Sequence, residues 1–178
     1  MSVMMYEDKD WEAFVRSLNL TVGPAGLQLM DSIHTTAHAI HRACESNLSA
    51  TGLSYARFRL LMSLMICEEV DGRFELHPSE ISDRQGTSRN TVSTHISSLE
   101  DQGLIERRLD KDDLRRFNIR LTEAGRELVR EHAGRHFAII TDCFADLAVH
   151  EQEMLRLLLE KIRFHMDGCE QHLRSDLC

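Results

Sequence analysis

Apolar residues recur at every third or fourth position through five long stretches of the chain, a spacing typical of amphipathic α-helices. These stretches cover approximately residues 8–18, 24–47, 53–69, 122–146 and 150–170. The last stretch is so dense in leucine that one buried stripe cannot accommodate it, so it requires burial on more than one side. The pattern predicts a mainly α-helical protein.

Two shorter helices are predicted in the middle of the chain, joined by a tight turn. Pro78 suits the first turn of the earlier helix, where its missing N–H is not needed, and Gly86 lies in the turn. Ser88 has the hydroxyl of an N-cap for the second helix, and Gly103 suits the left-handed residue that ends it. This arrangement predicts a helix-turn-helix.

A small β-hairpin is predicted directly after these helices. Residues 104–109 look extended, and residues 117–121 alternate apolar and polar side chains with the period of a strand. Residues 74–76 form a minimal strand candidate upstream, and Thr122 is a predicted N-cap for the following helix. A helix-turn-helix followed by a hairpin wing is the order of a winged helix-turn-helix.

A length of 178 residues fits one intertwined domain better than two domains with a linker. We divide it into an N-terminal extension with a first dimerisation helix (1–52), a DNA-binding lobe (53–121) and C-terminal dimerisation helices (122–178). The end helices are too apolar for an isolated small lobe, which predicts a dimerisation domain and a homodimer. The second helix of the helix-turn-helix, the recognition helix, would occur twice in such a dimer, and the two copies would read a pseudo-palindromic DNA site.

The net charge of −8 would argue against nucleic-acid binding if the charge were evenly spread, but its distribution along the chain matters more than its sum. Residues 84–120 hold eight Lys or Arg against six Asp or Glu, and residues 84–98 contain no acidic residue at all. This local balance predicts a phosphate-binding surface.

Other features of the composition predict a soluble cytoplasmic protein. No stretch approaches the roughly 20 apolar residues of a membrane span, and the start of the chain lacks the pattern of a signal peptide. The cysteines are odd in number and widely spaced, so neither a disulfide framework nor a thiolate zinc site is expected, and most should be buried. They are Cys44, Cys67, Cys143, Cys169 and Cys178.

The second helix of the predicted helix-turn-helix carries the candidate chemistry. Val92, Ile96 and Leu99 share one face, which should be buried. The opposite face presents Arg89, Asn90, Ser93, Thr94 and Ser97. Arginine can bind guanine with two hydrogen bonds and asparagine can bind adenine in the same way, so this face is suited to reading bases in the major groove.

Several short motifs resemble the MarR family of transcription regulators. They are Pro78-Ser-Glu-Ile-Ser, Thr91-Val-Ser93, the run from Leu99 to Arg107, and Leu121-Thr-Glu-Ala-Gly125. Asp113-Leu-Arg115 also falls where the family has a wing Asp-x-Arg motif, although Leu114 departs from the usual basic residue. The candidate DNA contacts are Arg84, Ser88, Arg89, Asn90, Thr91, Ser93, Thr94, His95, Ser97, Arg107, Asp113, Arg115 and Arg116.

The resemblance implies a role for the wing and a means of regulation. Asp113 would orient Arg115, whose guanidinium would enter the minor groove or meet phosphate. The end helices would form the dimer interface, with an effector cleft between that interface and the DNA lobe. A small aromatic molecule is the effector class the family implies, and no cofactor is expected.

Three alternatives compete with this interpretation. Histidines at helical spacing could bind a regulatory metal ion such as zinc, and those residues are His34, His38, His41, His132 and His136. Oxidant sensing would need a reactive cysteine near the start of the first long helix, whereas Cys44 is near its end. The acidic total would also suit a winged-helix interaction protein without DNA binding. An enzyme is not expected, because the catalytic and phosphate-loop motifs are missing.

Overall fold

The computed structural model describes residues 8–19, 25–48, 51–110 and 116–175. The elements in chain order are α1 (Asp8–Ser17), α2 (Ala25–Leu48), α3 (Tyr55–Asp71), α4 (Pro78–Gln85), α5 (Arg89–Asp101), β1 (Ile105–Leu109), β2 (Phe117–Leu121), α6 (Glu123–Asp142) and α7 (Val149–Ser175). The predicted mainly helical fold with a hairpin is confirmed. The predicted helix over 122–146 is too long, because hydrogen-bonded turns replace the helix after Asp142.

The predicted helix caps are present. Ser88 Oγ accepts from the Thr91 N–H at 3.1 Å, and Thr122 Oγ1 accepts from the Gly125 N–H at 3.1 Å. Gly86 ends α4 with a left-handed φ of 61°, a backbone conformation that has little steric cost for glycine but is unfavourable for most other residues. These caps set where α5 and α6 begin, and so fix the ends of the helix-turn-helix and the hairpin.

The hairpin pairs β1 with β2 in antiparallel register, from Ile105 opposite Leu121 to Leu109 opposite Phe117. The predicted strand over 74–76 is reduced to one bridging residue. The Leu76 N–H donates to the Ile119 carbonyl at 2.9 Å, and the Ile119 N–H returns a bond to Leu76 at 2.8 Å. Leu76 is buried, so this short segment closes the core beside β2.

One hydrophobic core joins α3, α4, α5 and the hairpin. Its largest fully buried side chains include Phe58, Leu60, Leu61, Leu76, Ile81, Ile96, Leu99, Ile119 and Leu121. Arg126 of α6 reaches this lobe through a largely buried ion pair with Glu68 of α3, with Nε 2.8 Å from Oε1. Glu123 binds the same guanidinium at 3.2 Å. The pair anchors the start of α6 to α3.

The start of α6 is also in close contact with the hairpin. Gly125 faces the Leu104 carbonyl so closely that a Cβ atom would overlap the oxygen. The Thr122 hydroxyl donates to the Gly103 carbonyl at 2.7 Å. A glycine is therefore required at this position for steric reasons.

The chain divides into two compact units, residues 1–137 and 138–178. The second unit is dominated by α7, whose apolar side chains are exposed in a single chain. They include Met154, Leu155, Leu157, Leu158, Leu159, Ile162, Phe164 and Met166. None of the described helices is long and apolar enough to cross a membrane.

Candidate nucleic-acid interface

Helix α5 presents the face predicted from the sequence. Val92, Ile96 and Leu99 are buried against the core, with at most 1% of each exposed. On its other sides the helix and its cap expose Ser88, Arg89, Asn90, Thr91, Ser93, Thr94 and Ser97. The burial of one face thus leaves the candidate base-reading residues accessible to a DNA groove.

The first turn of α5 is suited to an anion. It holds no acidic residue, and Arg89 makes no ion pair with any described carboxylate. The positive end of the helix dipole lies at this turn. Asn90 is exposed, while Thr94 Oγ1 is already bonded to the Asn90 carbonyl at 3.1 Å. Phosphate and base edges could therefore be contacted from one turn.

Arg107 of β1 is engaged by α5. Its Nε lies 3.0 Å from Glu100 Oε2, and one of its terminal nitrogens donates to Ser97 Oγ at 3.0 Å. Its guanidinium also lies over the Phe117 ring, 5.1 Å from the ring centre. The structure brings Ser97 and Arg107 together, so the two predicted DNA contacts restrain each other.

His95 of α5 lies near Arg57 of α3. It is half-buried, and its Nδ1 has no hydrogen-bond partner among the described residues. Burial, and then the nearby Arg57 charge, lower the pKa of His95 below its ordinary value. An uncharged His95 is therefore a weak candidate for a phosphate contact.

Arg57 is a positioning residue that the sequence did not reveal. Its guanidinium donates to Ser98 Oγ of α5 at 2.9 Å, to Ser54 Oγ at 3.2 Å and to the Gly52 carbonyl at 3.3 Å. These bonds fix α5 against the start of α3. Arg57 and Ser98 are close in space but 41 positions apart in the chain, so no local motif indicates their contact.

The other predicted basic contacts lie at the ends of the site. Arg84, at the end of α4, pairs with Asp71 at 3.2 Å. Arg116 is exposed directly before the second wing strand and donates from Nε to His77 Nε2 at 3.4 Å. Asp113 and Arg115 lie outside the described residues, so their predicted pairing stays a prediction.

The histidines singled out for a metal ion do not form one cluster. In the described ranges, no three His, Cys, Asp or Glu side chains are placed to hold a metal ion. His34, His38 and His41 are exposed on α2, and His132 is half-buried on α6. His136 is buried between aromatic rings, with ring centres 5.4 Å from Tyr55 and 5.3 Å from Phe58.

The cysteines fit the buried expectation only in part. Cys44 and Cys67 are fully buried, and burial raises the pKa of Cys67. Cys143 is exposed at the end of α6, where the predicted helix does not continue. A fully buried Cys44 is poorly placed for oxidant sensing.

Comparison with known proteins gives consistent matches. The family model described as MarR family matches residues 51–116. The transcriptional repressor MprA of Escherichia coli K12 is 30% identical over 124 residues, which are 70% of this chain and 68% of MprA.

Two solved structures show the same fold. A Staphylococcus aureus MepR–DNA complex superposes with a TM-score of 0.69 at 21% identity, covering 77% of this chain and 95% of MepR. Bordetella bronchiseptica BpsR, whose DNA binding is regulated by 6-hydroxynicotinic acid, gives 0.68 at 20% identity, covering 76% and 93%.

Proposed function

The chain belongs to the MarR family, and we propose that it is a homodimeric transcriptional repressor that binds a pseudo-palindromic operator and responds to a small aromatic effector. One observation carries the proposal: the exposed part of α5 up to Ser98 holds Arg89, Asn90 and Ser93 and no acidic residue, while the other face of the helix is buried in the core. The role is regulatory and not enzymatic, and it is exercised on chromosomal DNA in the cytoplasm.

Base recognition is assigned to α5 in the major groove. Asn90 can form two hydrogen bonds with adenine, Arg89 can bind guanine or phosphate, and Ser93 can reach a base or a phosphate. The MepR structure contains DNA, which supports a DNA-binding role for the same fold. Arg115, oriented by Asp113, is proposed to supply the wing contact, and the next residue in the sequence, Arg116, is exposed.

Dimerisation is proposed to bury the apolar face of α7. Leu157 and Leu158 are each about half exposed in the single chain, and Phe164 is 82% exposed. Monomeric soluble proteins rarely expose a contiguous apolar surface of this kind. A two-fold symmetric dimer would place two α5 helices on half-sites one helical turn of DNA apart.

A small aromatic effector is proposed by analogy with the regulation of BpsR. The DNA binding of BpsR is regulated by 6-hydroxynicotinic acid, an aromatic acid. A DNA-binding protein that shares this fold can be released from its operator when a ligand favours a conformation with a different spacing of the recognition helices.

Selection from random duplex DNA tests the proposal. We expect a two-fold symmetric consensus, a dimer by light scattering and much weaker binding to a half-site. Arg89→Ala should weaken binding, whereas Arg135→Ala, at an exposed position of α6 outside the helix-turn-helix and the wing, should not. Arg115→Ala should also lower the slope of log affinity against log salt by roughly 0.9 per half-site if Arg115 contacts phosphate. A monomer, or no enriched sequence, would refute the proposal.

A further inference from the structure

His77, the residue directly before α4, links the helix-turn-helix to the wing through its imidazole ring. Its Nε2 accepts a hydrogen bond from Arg116 Nε at 3.4 Å, and its Nδ1 lies 2.7 Å from Ser79 Oγ. The ring therefore contacts the first turn of α4 on one side. On the other side it contacts the arginine that comes directly before β2.

The protonation state of His77 decides whether the Arg116 contact can form. A neutral imidazole has one N–H donor and one acceptor nitrogen. The Arg116 contact requires Nε2 to be the acceptor, so the proton lies on Nδ1 and can be donated to Ser79 Oγ. The Ser79 N–H is farther from Nδ1, at 3.3 Å, so this arrangement gives up only the longer of the two contacts to Ser79. A second proton on the ring would remove the acceptor at Nε2 and place two positive charges side by side.

Arg116 has a fixed backbone and a side chain with few other partners. The Asp110 N–H donates to the Arg116 carbonyl at 3.0 Å across the hairpin. The side chain of Arg116 is exposed, and no carboxylate of the described residues forms an ion pair with it. Loss of the His77 contact would therefore free the guanidinium while the wing strand stays in place.

The other charged groups around His77 leave its ring nitrogens to these two partners. Glu80 accepts the His77 backbone N–H at 2.8 Å, and its two oxygens bind Arg73 at 2.9 and 3.2 Å. The bond from Arg73 lowers the pKa of Glu80, so this carboxylate stays ionised in mild acid. The remaining charged residues that line the same cleft are Glu75, Arg108, Asp110 and Arg120. Among the described residues no carboxylate bonds to the ring of His77, so a proton gained there acts on Arg116.

We propose that His77 is a positioning residue that holds the Arg116 guanidinium at the base of the wing while its ring is neutral and frees it for DNA when the ring is protonated. Histidine is the side chain that ordinarily changes charge between pH 5 and pH 8. The freed guanidinium and the added imidazolium charge both attract phosphate. The consequence for DNA rests on the proposed function: operator affinity should rise as the pH falls.

NMR spectroscopy of the protein without DNA tests the contact itself. The Nε–H signal of Arg116, identified by its loss in Arg116→Gln, should shift with pH in step with the ring C–H signals of His77. In His77→Asn this shift should be absent, because the substituted side chain cannot take up a proton. An Arg116 signal that does not follow the titration of His77 would overturn the proposal, whether or not the protein binds DNA.

Two substitutions of His77 separate the acceptor from the charge. Glutamine can place an oxygen near the position of Nε2 and cannot be protonated, so His77→Gln should hold Arg116 at every pH. Asparagine is shorter and is a favoured N-cap residue, so His77→Asn should cap α4 and leave Arg116 free. At pH 7.5, His77→Asn should therefore bind the selected operator more tightly than His77→Gln.

The pH dependence of operator binding completes the test. The wild type should bind roughly three-fold or more tightly at pH 5.5 than at pH 7.5, and both His77 variants should lose most of this change. His150→Asn, at an exposed position of α7, is the matched control and should keep it. His95 and His136 are present in every variant, so their titration contributes equally to each.

A further substitution shows whether the effect passes through Arg116. In the Arg116→Gln background, His77→Asn and His77→Gln should bind the operator equally well. Equal affinities of the two variants with Arg116 present, or a pH dependence in His77→Asn like that of the wild type, would contradict the proposal. If no form binds an operator, the proposed function is refuted, and the NMR titration still decides whether His77 holds Arg116.

Discussion

The guanidinium of Arg107 on the first wing strand is 3.0 Å from the carboxylate of Glu100 on the recognition helix. The same side chain bonds to Ser97 and lies over Phe117. The recognition helix and the wing are therefore joined by side chains as well as by the short chain segment between them. This relationship favours a positioning role for Arg107.

Arg107→Ala should weaken DNA binding by a similar factor on all sequences, because it loosens α5 relative to the wing and removes no base contact. The free energy of unfolding should fall by only about 1 kcal/mol, since the ion pair is partly exposed and the ring contact is modest. Glu100→Gln should weaken DNA binding in parallel, and the double variant should be no worse than either. Anisotropy titrations decide: stronger binding by Glu100→Gln would mean that Arg107 contacts DNA directly.

Asn90→Ala should cost about 1–3 kcal/mol of binding free energy on the preferred operator and relax base preference at one position in each half-site. The reason is that Asn90 is exposed on the face of α5 opposite the buried Val92 and Ile96. Binding to the selected operator and to its single-base variants gives the measurement. Gln102→Ala, at the other end of α5, is the control, and an equal loss on random DNA would rule out base reading by Asn90.

Gly125→Ala should lower the free energy of unfolding by about 1–3 kcal/mol or more, because its Cβ has no room beside the Leu104 carbonyl. Gly134→Ala on the same helix is the matched control. Apart from the backbone of the helix itself, no atom of the described residues lies within 4 Å of a Cβ there, so alanine should stabilise the helix by about 0.5–1 kcal/mol. Urea unfolding measures both variants. A Gly125→Ala protein as stable as the wild type would contradict the contact.

Stability should fall in mild acid because of His136. Burial lowers the pKa of His136, so the unfolded chain binds a proton that the folded protein resists. The stabilisation is complete above the unfolded value of about 6.5 and is lost as pH falls from there towards the folded pKa. His136→Leu should reduce the difference in unfolding free energy between pH 7.5 and pH 5.5 on the order of 1 kcal/mol. An unchanged pH profile would show that His136 stays neutral in both states.

The elements of the DNA-binding lobe could be predicted because their signals are local. Ser88 and Thr122 cap helices through bonds to residues three positions away. The alternation in residues 117–121 likewise lies within one strand. The end of α6 at Asp142 was missed, since apolar residues continue past it into the turn.

The candidate site was predictable only in outline. The period of the helix was enough to place Asn90 and Ser93 on an exposed face. The partners of Arg107 and Arg57 were not predictable, because Arg57 lies 41 positions from Ser98 and no local pattern links them. The shared contact of Arg108 and Arg120 with Glu106 depends on the strand register, and a shift of one residue would place these side chains on the other face of the hairpin.

The close contact between Gly125 and Leu104 allows the start of α6 almost no play against the hairpin, and the Arg126–Glu68 pair fixes the same turn to α3. A tilt of that part of α6 must therefore also move the recognition helix α5. In a symmetric dimer such a tilt would change the distance between the two α5 helices, whereas the DNA half-sites stay about 34–36 Å apart. Operator affinity would then depend on the angle between the two copies of α6.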